Sequence, residues 1–442
     1  MWKALQVFVL SDIHLNVEKN KGMFVADAEL ASCLLWIAKQ EIPSIVILAG
    51  DTLDFLVPEK ERMIQDFEPV YAASLAESIV KEHKEVFDAL SALSEKHTLI
   101  IQDGNHDSEL ILSEVREEIQ KHVNGVIRWM VHGEAARIQI GDDTLLVVEH
   151  GHLYDSINQV CHEKLLQAVH CYSRGVIHEG GYKAPFGTYL VKKYLHPLRR
   201  RCPILEFVKP EVPAVLKILW RLIGWREKIK WLGILKNRIQ VSNKNLQHKI
   251  KLVFSPQSLF AGEHTATTEM EDFIQEKEQE QEPQQQQNSI PPTQESIMAD
   301  LQKIARKDTM FDLEAFDENV RYARYLFQKG VKLFVTGHSH AAKAYVVNPG
   351  NPIEEGLYMN AGCWVRTISL PQQQDTKQWQ DFTQKLLENA PLNEADYRPY
   401  TFVSIFLKEN TVTASLCAWK KGQEEKMVAW ERSATNLLWE KK

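Results

Sequence analysis

Short apolar runs alternate with helix-like stretches over the first 155 residues of the chain. Residues 5–10 (LQVFVL), 44–48 (SIVIL) and 98–101 (TLII) are apolar and contain many β-branched side chains, which predicts three buried strands. Apolar positions recur at helical spacing over 26–39 and 70–93, which predicts a helix in each interval. Strands that alternate with helices in this way indicate an α/β sheet whose faces are covered.

The same kinds of pattern return further along the chain. A weaker strand is predicted at 136–140, a buried one at 145–148 (LLVV), and another at 332–336 (KLFVT). Residues 297–328 have helical spacing. Residues 402–416 contain two apolar runs around a central Glu-Asn pair and predict a β-hairpin.

Composition divides the chain into four segments. Residues 1–155 and 297–442 are expected to form the first and second parts of one core. Between them, residues 156–268 are predicted to form a basic, mostly helical insertion, which is either a cap or a membrane-facing element. Within it, residues 156–252 contain 19 Lys/Arg and 5 Asp/Glu, which gives a formal charge of 19 − 5 = +14. Residues 269–296 are rich in Gln and Glu and poor in apolar side chains, so a disordered linker is expected there.

The basic insertion has the composition of a helix that lies on a membrane surface. Residues 213–238 place apolar side chains at helical spacing and combine Trp220, Trp225 and Trp231 with Lys and Arg. Segment 199–238 is therefore a candidate for contact with an anionic membrane surface. The same apolar stripe also fits ordinary core packing, and both interpretations stay open. Nucleic acid is the least favoured partner, because no motif that reads nucleic acid accompanies the charge.

The composition excludes several classes of protein. Of the 442 residues, 44% are hydrophobic and 25% are charged, which is ordinary for a globular protein and excludes a wholly disordered chain. Six cysteines without a C-x-x-C pair exclude a disulfide scaffold and argue against a cysteine zinc site. No small-residue cleavage site follows the first apolar run, and no uncharged apolar stretch reaches about 18 residues. A cytoplasmic location is expected, with a peripheral position on the inner face of a membrane as the alternative.

Each apolar run of the expected core ends in a cluster of polar residues. The clusters read SDIH at 11–14, GD at 50–51, GNHD at 104–107, HGH at 150–152 and GHSH at 337–340. Functional groups of open α/β sheets gather outside the carboxyl ends of the strands. The five clusters are therefore expected to meet in one site.

The clusters carry donors that suit metal ions. In the D-x-H and H-x-H pairs, alternate residues of an extended segment are expected to point the same way. Either imidazole of the HGH cluster could be a ligand. Carboxylates, imidazoles and one amide suit Mn, Fe or Zn, and they are enough for two divalent ions with Asp51 as the bridging carboxylate. The metal candidates are Asp12, His14, Asp51, Asn105, His150, His338 and His340.

One imidazole of the clusters, that of His106, is left over from the ligand count. Two metal ions about 4 Å apart can clamp phosphate oxygens and turn a bridging water into hydroxide near neutral pH. An imidazole beside that phosphate could protonate the leaving oxygen or stabilise its charge. Asp107 could hold the imidazole in its cationic form and in position. The catalytic candidates are therefore His106 and Asp107.

The order of these blocks resembles that of the calcineurin-like metallophosphoesterase superfamily. The resemblance covers roughly 1–155 and 325–370 and includes a G-D-x-x-D block that ends at Asp54. It implies a four-layer α/β/β/α sandwich with a dinuclear metal site, in which His106 is the catalytic histidine with Asp107 behind it, and Asp54 orients a ligand. It favours His150 over His152. It also implies one ion held by Asp12, His14, Asp51 and His340, and a second held by Asp51, Asn105, His150 and His338.

Some segments are also distantly similar to UDP-2,3-diacylglucosamine hydrolases. Members of that group are peripheral membrane pyrophosphatases with a helical insertion that grips acyl chains. This chain has His106 where that group has Arg, and its basic insertion is far larger. These differences favour a general phosphoesterase.

The sequence therefore predicts a dinuclear metal-dependent phosphoesterase that uses a metal-bridging hydroxide. The expected substrate is a phosphomonoester, phosphodiester or pyrophosphate in a phosphorylated small molecule, a nucleotide or a lipid. Two alternatives remain. One is a catalytically silent membrane or protein adaptor on the same fold, against which the intact ligand set argues. The other is a nuclease that uses the basic insertion.

Overall fold

The structure is a computed structural model that describes most of the two core segments and little of the insertion. Of the expected linker 269–296, only 294–296 are described, and of segment 199–238 only 207–209, so these expectations fall largely outside the described residues. The described residues are 4–17, 23–56, 69–140, 144–155, 157–176, 182, 184–185, 187–188, 191–192, 207–209, 294–306, 309–317, 319–347, 355–371, 376–388, 390, 397–408, 411–433 and 438–442.

The larger sheet is built around four parallel strands. They are β1 (Ala4–Leu10), β2 (Ser44–Ala49), β3 (Thr98–Gln102) and β4 (Ile127–Met130), and they lie side by side in that order. The predicted strands at 5–10, 44–48 and 98–101 are confirmed within a residue or so. Their apolar, β-branched composition suits strands that are buried on both faces.

The C-terminal part of the chain extends this sheet beyond β1. The antiparallel partner of β1 is β12 (Tyr400–Lys408), which turns back into β13 (Thr411–Lys420), with Lys408 opposite Thr411. The predicted hairpin at 402–416 is therefore confirmed. Two more antiparallel strands, β14 (Gln423–Ser433) and β15 (Glu440–Lys441), complete the described sheet.

The smaller sheet combines strands from both core segments. Its order is β5 (Ala136–Ile140), β6 (Thr144–Val148), β8 (Leu333–Thr336), β10 (Gly356–Asn360) and β9 (Lys343–Val347). The pairs β6–β8 and β8–β10 are parallel, and both outer pairs are antiparallel. The strands predicted at 136–140, 145–148 and 332–336 are all members of this sheet.

Helices cover the outer face of the larger sheet. They are α1 (Asp27–Ala38), α2 (Pro69–Glu82), α3 (Lys84–Ser94) and α4 (Ser113–Gln120), and one buried cluster joins their apolar side chains to those of β1, β2 and β3. The other helices are α5 (His162–Ser173), α6 (Gln294–Ala305), α7 (Val320–Gln328) and α8 (Thr376–Glu388). No described helix combines the length and the apolar character that a bilayer crossing needs.

The side chains of β1 show how the layers are stacked. Phe8 and Leu10 pack in the cluster under the helices, whereas Val7 and Val9 point to the opposite face and pack in a second buried cluster. That second cluster also contains Val335 of β8, so it lies between the two sheets. Burial on both faces follows from the alternation of side chains along a strand.

A third buried cluster covers the far face of the smaller sheet. It joins Phe334 of β8 and Tyr358 of β10 to Phe327 of α7. The layers are therefore helices, larger sheet, smaller sheet and helix. This is the four-layer α/β/β/α sandwich that the resemblance implies. The mostly helical insertion lies largely outside the described residues.

Two of the predicted helices are each divided in the structure. The interval 70–93 contains α2 and α3, which are separated at His83. The interval 297–328 contains α6 and α7, with non-helical turns between them at 309–317. Both predictions of one continuous helix were wrong. For α2 and α3, the apolar spacing continues across the bend because both helices face the same buried cluster.

The break at His83 places a buried imidazole among three segments. His83 is fully buried, and its Nδ1 lies 2.7 Å from Asp27 Oδ1 at the start of α1. Its Nε2 lies 2.8 Å from the backbone oxygen of Asn16. Asn16 in turn donates from its side-chain amide to the backbone oxygen of His14, at 3.2 Å. His83 therefore supports the loop that carries His14.

Replacing this buried imidazole should destabilise the protein. We expect His83→Ala to lower the free energy of unfolding by roughly 2–4 kcal/mol, because it leaves buried partners unsatisfied and opens a cavity. Urea unfolding followed by circular dichroism measures the change. His122→Ala is the matched control, since that side chain is 39% exposed on the surface. Equal stabilities of the two variants would contradict the supporting role of His83.

Candidate metal centre

The five polar clusters follow five strands at the same end of the molecule. Three of them follow β1, β2 and β3, which are neighbours in the larger sheet. The other two follow β6 and β8, which are neighbours in the smaller sheet. Since the strands within each set are parallel, their carboxyl ends lie together.

Hydrogen bonds between the clusters hold the two sheet ends together. The His338 backbone N–H donates to Asp12 Oδ2 at 2.7 Å, and the Trp364 N–H donates to the Asp12 carbonyl at 3.0 Å. Within the smaller sheet, the Gly337 N–H donates to the His150 carbonyl at 2.9 Å. The loops that carry the candidate donors are thus fixed against one another.

Five of the seven donor residues have left-handed backbone. This corrects the expectation that the D-x-H and H-x-H pairs are extended. A left-handed conformation at a residue other than glycine costs about 1 kcal/mol or more, and such strain concentrates at functional sites. The φ angles are +54° at Asp12, +58° at His14, +51° at Asp51, +70° at His338 and +59° at His340.

The first group of donors joins the two sheets directly. Asp12, His14 and His340 each offer one ligand atom, and the three atoms lie within 4.8 Å of one another. The two imidazoles are 3.1 Å apart at their Nε2 atoms, and His340 Nε2 lies 3.3 Å from Asp12 Oδ1. Three donors at this spacing can converge on one ion.

The second group of donors surrounds Asp51. Ligand atoms of Asp51, His150 and His338 also lie within 4.8 Å of one another. His150 Nε2 is 3.2 Å from Asp51 Oδ2 and 3.3 Å from Asn105 Oδ1. Asp51 Oδ2 is also 3.8 Å from His14 Nε2, so this carboxylate lies between the two groups. The structure thus brings all seven metal candidates together.

His106 lies at the more open side of this assembly. Its ligand atom falls within 4.8 Å of those of His14 and Asp51, and its side chain is 16% exposed, whereas Asp51 is 2% exposed. Its Nδ1 lies 3.1 Å from Asp54 Oδ1. Burial opposes ionisation of Asp54, yet His106 holds the pKa of that carboxyl well below its usual value. Asp54 is therefore the carboxylate that orients this imidazole.

Asp107 has a different role from the one predicted for it. Its carboxylate accepts backbone N–H groups from two loops, including Gly104 at 2.6 Å and Thr52 at 2.7 Å, with Asp51 and Leu53 at 3.2 Å. Side chains on both loops belong to the donor set, so Asp107 fixes the loop geometry. The prediction that it holds the His106 imidazole was wrong, because these backbone groups occupy both of its oxygens.

Two further side chains clarify the HGH cluster. His152 is buried, with its Nε2 3.4 Å from His162 Nε2, and it is in none of the donor groups found among the described residues. His150 is therefore the imidazole of this cluster that joins the donor set. Asp155, which sequence reasoning missed, lies 3.0 Å from His338 Nε2 and orients that ring. A lone Asp five residues after His150 carries no signal of this contact.

Glycine allows the loops to approach this closely. At Gly50, where φ is +80°, an added Cβ would lie 2.4 Å from the His150 ring. At Gly104, an added Cβ would lie 2.1 Å from Asp51 Oδ1. Any side chain at either position would push a donor out of place.

The charges of the centre fit cationic ligands. Asp12 and Asp51 are buried, and Asp12 Oδ1 accepts no hydrogen bond from the described residues. Burial opposes charge on His150, but Asp51 and then Asp12 raise its pKa to about 10. Buried carboxylates of this kind need compensating positive charge. Divalent metal ions bind carboxylate oxygens, imidazole nitrogens and amide oxygens such as that of Asn105, so these residues fit metal ions.

Comparisons with known proteins give weak similarities. No protein-family model and no curated protein matches the chain. Similar solved structures include a conserved uncharacterized protein of Streptococcus pneumoniae TIGR4 described as a predicted phosphoesterase, PhoD, and GAP50, the anchor in the inner membrane complex of Plasmodium. Their sequence identities are 9%, 8% and 9%, and their TM-scores are 0.25, 0.38 and 0.32. The matches cover 97%, 100% and 96% of this chain, and 99%, 72% and 89% of those chains.

These TM-scores are too low to support a fold assignment, so the fold follows from the chain's own features. These are the two sheets enclosed by helices, the parallel strand ends that meet at one edge, and the donor residues in their order along the sequence. The chain therefore has a four-layer α/β/β/α fold with its candidate metal donors at the carboxyl ends of the strands.

Proposed function

We propose that this protein is a phosphoesterase that works with two divalent metal ions at this centre. The observation that carries the proposal is the convergence of seven donors from five strand ends, six of them gathered around Asp51, with the His106 imidazole beside them. Mn, Fe and Zn all suit the donor set.

The distances separate the donors into two groups, and Asp51 lies between them, so it would be shared by two ions. Bound divalent ions would supply Lewis-acid charge for phosphoryl oxygens and a nucleophile derived from water near neutral pH. One ion would be held by Asp12, His14, Asp51 and His340, and the other by Asp51, Asn105, His150 and His338.

His106 supplies the proton chemistry. Because Nδ1 of its ring is taken up by Asp54, Nε2 is the nitrogen that can face a substrate. From there it can donate a proton to the oxygen of the leaving group or stabilise charge on that oxygen. Asp54 holds the ring in position.

A substrate screen tests the function. The protein is loaded in separate preparations with Mn, Fe or Zn and assayed on a phosphomonoester, a phosphodiester and a pyrophosphate, and its metal content is measured on the same samples. Metal-dependent hydrolysis of one class supports the proposal and names the bond. A preparation that binds two ions per chain and hydrolyses none of the three would contradict it and favour the silent adaptor.

Replacing the Asp51 carboxylate should remove metal ions from the centre. We expect Asp51→Asn to lose most of its bound metal, because one neutral amide replaces a charge common to both ions. Elemental analysis of the purified variant measures the metal per chain. Asp88→Asn is the control, since that carboxylate is 63% exposed and pairs with Lys84 on the surface. Metal content equal to that of the control would rule out the shared role.

Removing the His106 imidazole should slow catalysis while the metal stays bound. We expect His106→Ala to lower kcat by about 10²–10⁴-fold, the usual contribution of a positioned acid or base. The loss should be larger on phenyl phosphate than on p-nitrophenyl phosphate, whose leaving group needs less help. Asp54→Asn should also lower kcat. The double variant with His106→Ala should have nearly the same kcat as His106→Ala alone. Unchanged rates on both esters would remove His106 from the mechanism.

A further inference from the structure

The described part of the insertion contacts the core in several places. Its strand β7 (Val208–Lys209) pairs in parallel with β11 (Ile368–Ser369). Nearer to the start of the insertion, Tyr182 and Ala184 pack in the buried cluster under the helices of the larger sheet. Gly187, three residues beyond Ala184, is also buried. These contacts fix the described residues of the insertion against the core.

A tight turn links the start of the insertion to the metal centre. Asp155 Oδ1 accepts the Ile157 N–H at 2.8 Å, and Asp155 Oδ2 accepts the side-chain amide of Asn158 at 2.5 Å. The same Oδ2 lies 3.0 Å from His338 Nε2. Since an ionised carboxylate only accepts hydrogen bonds, the hydrogen of this contact belongs to His338 Nε2. The lone pair that can bind a metal ion is then on Nδ1 of that ring.

Gly187 holds this turn from the other side. Its N–H donates to the Ile157 carbonyl at 2.9 Å. An added Cβ at Gly187 would lie 1.8 Å from Asn158 Oδ1, so the glycine backbone packs directly against that side-chain oxygen. Because Asn158 directs its amide nitrogen to Asp155 and its oxygen to Gly187, both ends of the side chain are fixed. Contacts therefore run without a gap from Gly187 to the ring of His338.

The imidazole of His150, which belongs to the same donor group, is oriented by the core itself. Its Nδ1 lies 2.9 Å from the backbone oxygen of Ala49 in β2, which leaves Nε2 for an ion. The orientation of the His150 ring thus depends on the larger sheet. That of the His338 ring depends on a turn that the insertion holds, so the insertion can act on the metal ion through His338.

We propose that Asp155, Asn158 and Gly187 are positioning residues through which the insertion keeps Nδ1 of His338 directed at its metal ion. The inference rests on the proposed function and extends it by giving the insertion a role in metal binding. A partner at the other nitrogen of a metal-binding imidazole fixes the tautomer, and its loss weakens metal binding about 10–100-fold. The ion of the other donor group is unaffected by this turn.

The position of the hydrogen on the His338 ring can be observed without any metal. Long-range ¹H–¹⁵N spectra of the full-length, metal-free protein with labelled histidine distinguish the two tautomers, and the signal that disappears in His338→Gln identifies the ring. We expect the Nε2–H form in the wild type. In Asp155→Asn the amide can donate to Nε2, so the Nδ1–H form should appear. A wild-type ring with its hydrogen on Nδ1 would overturn the inference.

Metal titration measures the consequence for binding. The full-length protein is stripped of metal and titrated with Mn²⁺ in a calorimeter, and His340→Ala identifies the binding step of the other ion. We expect Asp155→Asn and Asn158→Leu to weaken binding of the ion held by His338 about 10–100-fold. Gly187→Ala should act in the same direction, because its Cβ displaces the Asn158 side chain.

Two further variants separate this effect from general damage to the fold. Asn124→Leu is the matched control, since the Asn124 amide donates to the Glu95 carboxylate at 3.0 Å on the surface, and it should bind both ions like the wild type. The double variant of Asp155→Asn and Asn158→Leu should bind the ion no more weakly than Asp155→Asn alone, because Asn158 acts through Asp155. Asn158→Ala replaces Asn158→Leu if the larger side chain prevents folding.

The outcomes of the titration separate this inference from the proposed function. Wild-type affinity for the ion of His338 in either Asp155→Asn or the Asn158 variant, or an equal loss of both ions, would overturn the inference. None of these measurements needs turnover. A protein that gives the expected titrations but hydrolyses no phosphate ester therefore contradicts the proposed function and leaves this inference standing.

Discussion

The metal centre depends on the contact between the carboxyl ends of two separate sheets. Asp12 follows the first strand of the larger sheet, and its carboxylate accepts the backbone N–H of His338, which follows a strand of the smaller sheet. Neither sheet alone brings enough donors together. The buried cluster between the sheets therefore does more than stabilise the sandwich, because its packing sets the distance between the two halves of the donor set.

Backbone strain and buried charge at the centre cost free energy, and the rest of the fold offsets this cost. Five donor residues stand in left-handed backbone, and two carboxylates are buried beside imidazoles. Asp107 holds two of the loops through backbone N–H groups, and His83 supports a third through Asn16. Bound cations would relieve the charge, whereas the strain in the loops is maintained by the surrounding hydrogen bonds.

Much of this arrangement was predictable from the sequence, because apolar runs mark strands and polar clusters mark the ends of those runs. What was missed depends on side-chain geometry. The break between α2 and α3 at His83 carries no Gly or Pro signal in the sequence. The carboxylate behind His106 is Asp54 and not its chain neighbour Asp107, since proximity along a tight loop does not determine which way a side chain points. The left-handed donors likewise leave no trace in the D-x-H spacing.

The wide separation of the donors along the polypeptide has a consequence for biosynthesis. His340 meets Asp12 and His14 only after the ribosome has added more than three hundred residues beyond them. Strand β12, the neighbour of β1, is made later still. A nascent chain that ends within the insertion thus exposes an unpaired edge of β1 and an incomplete ligand shell. Closing contacts of such long range is slow, so the donor set is completed only late in folding.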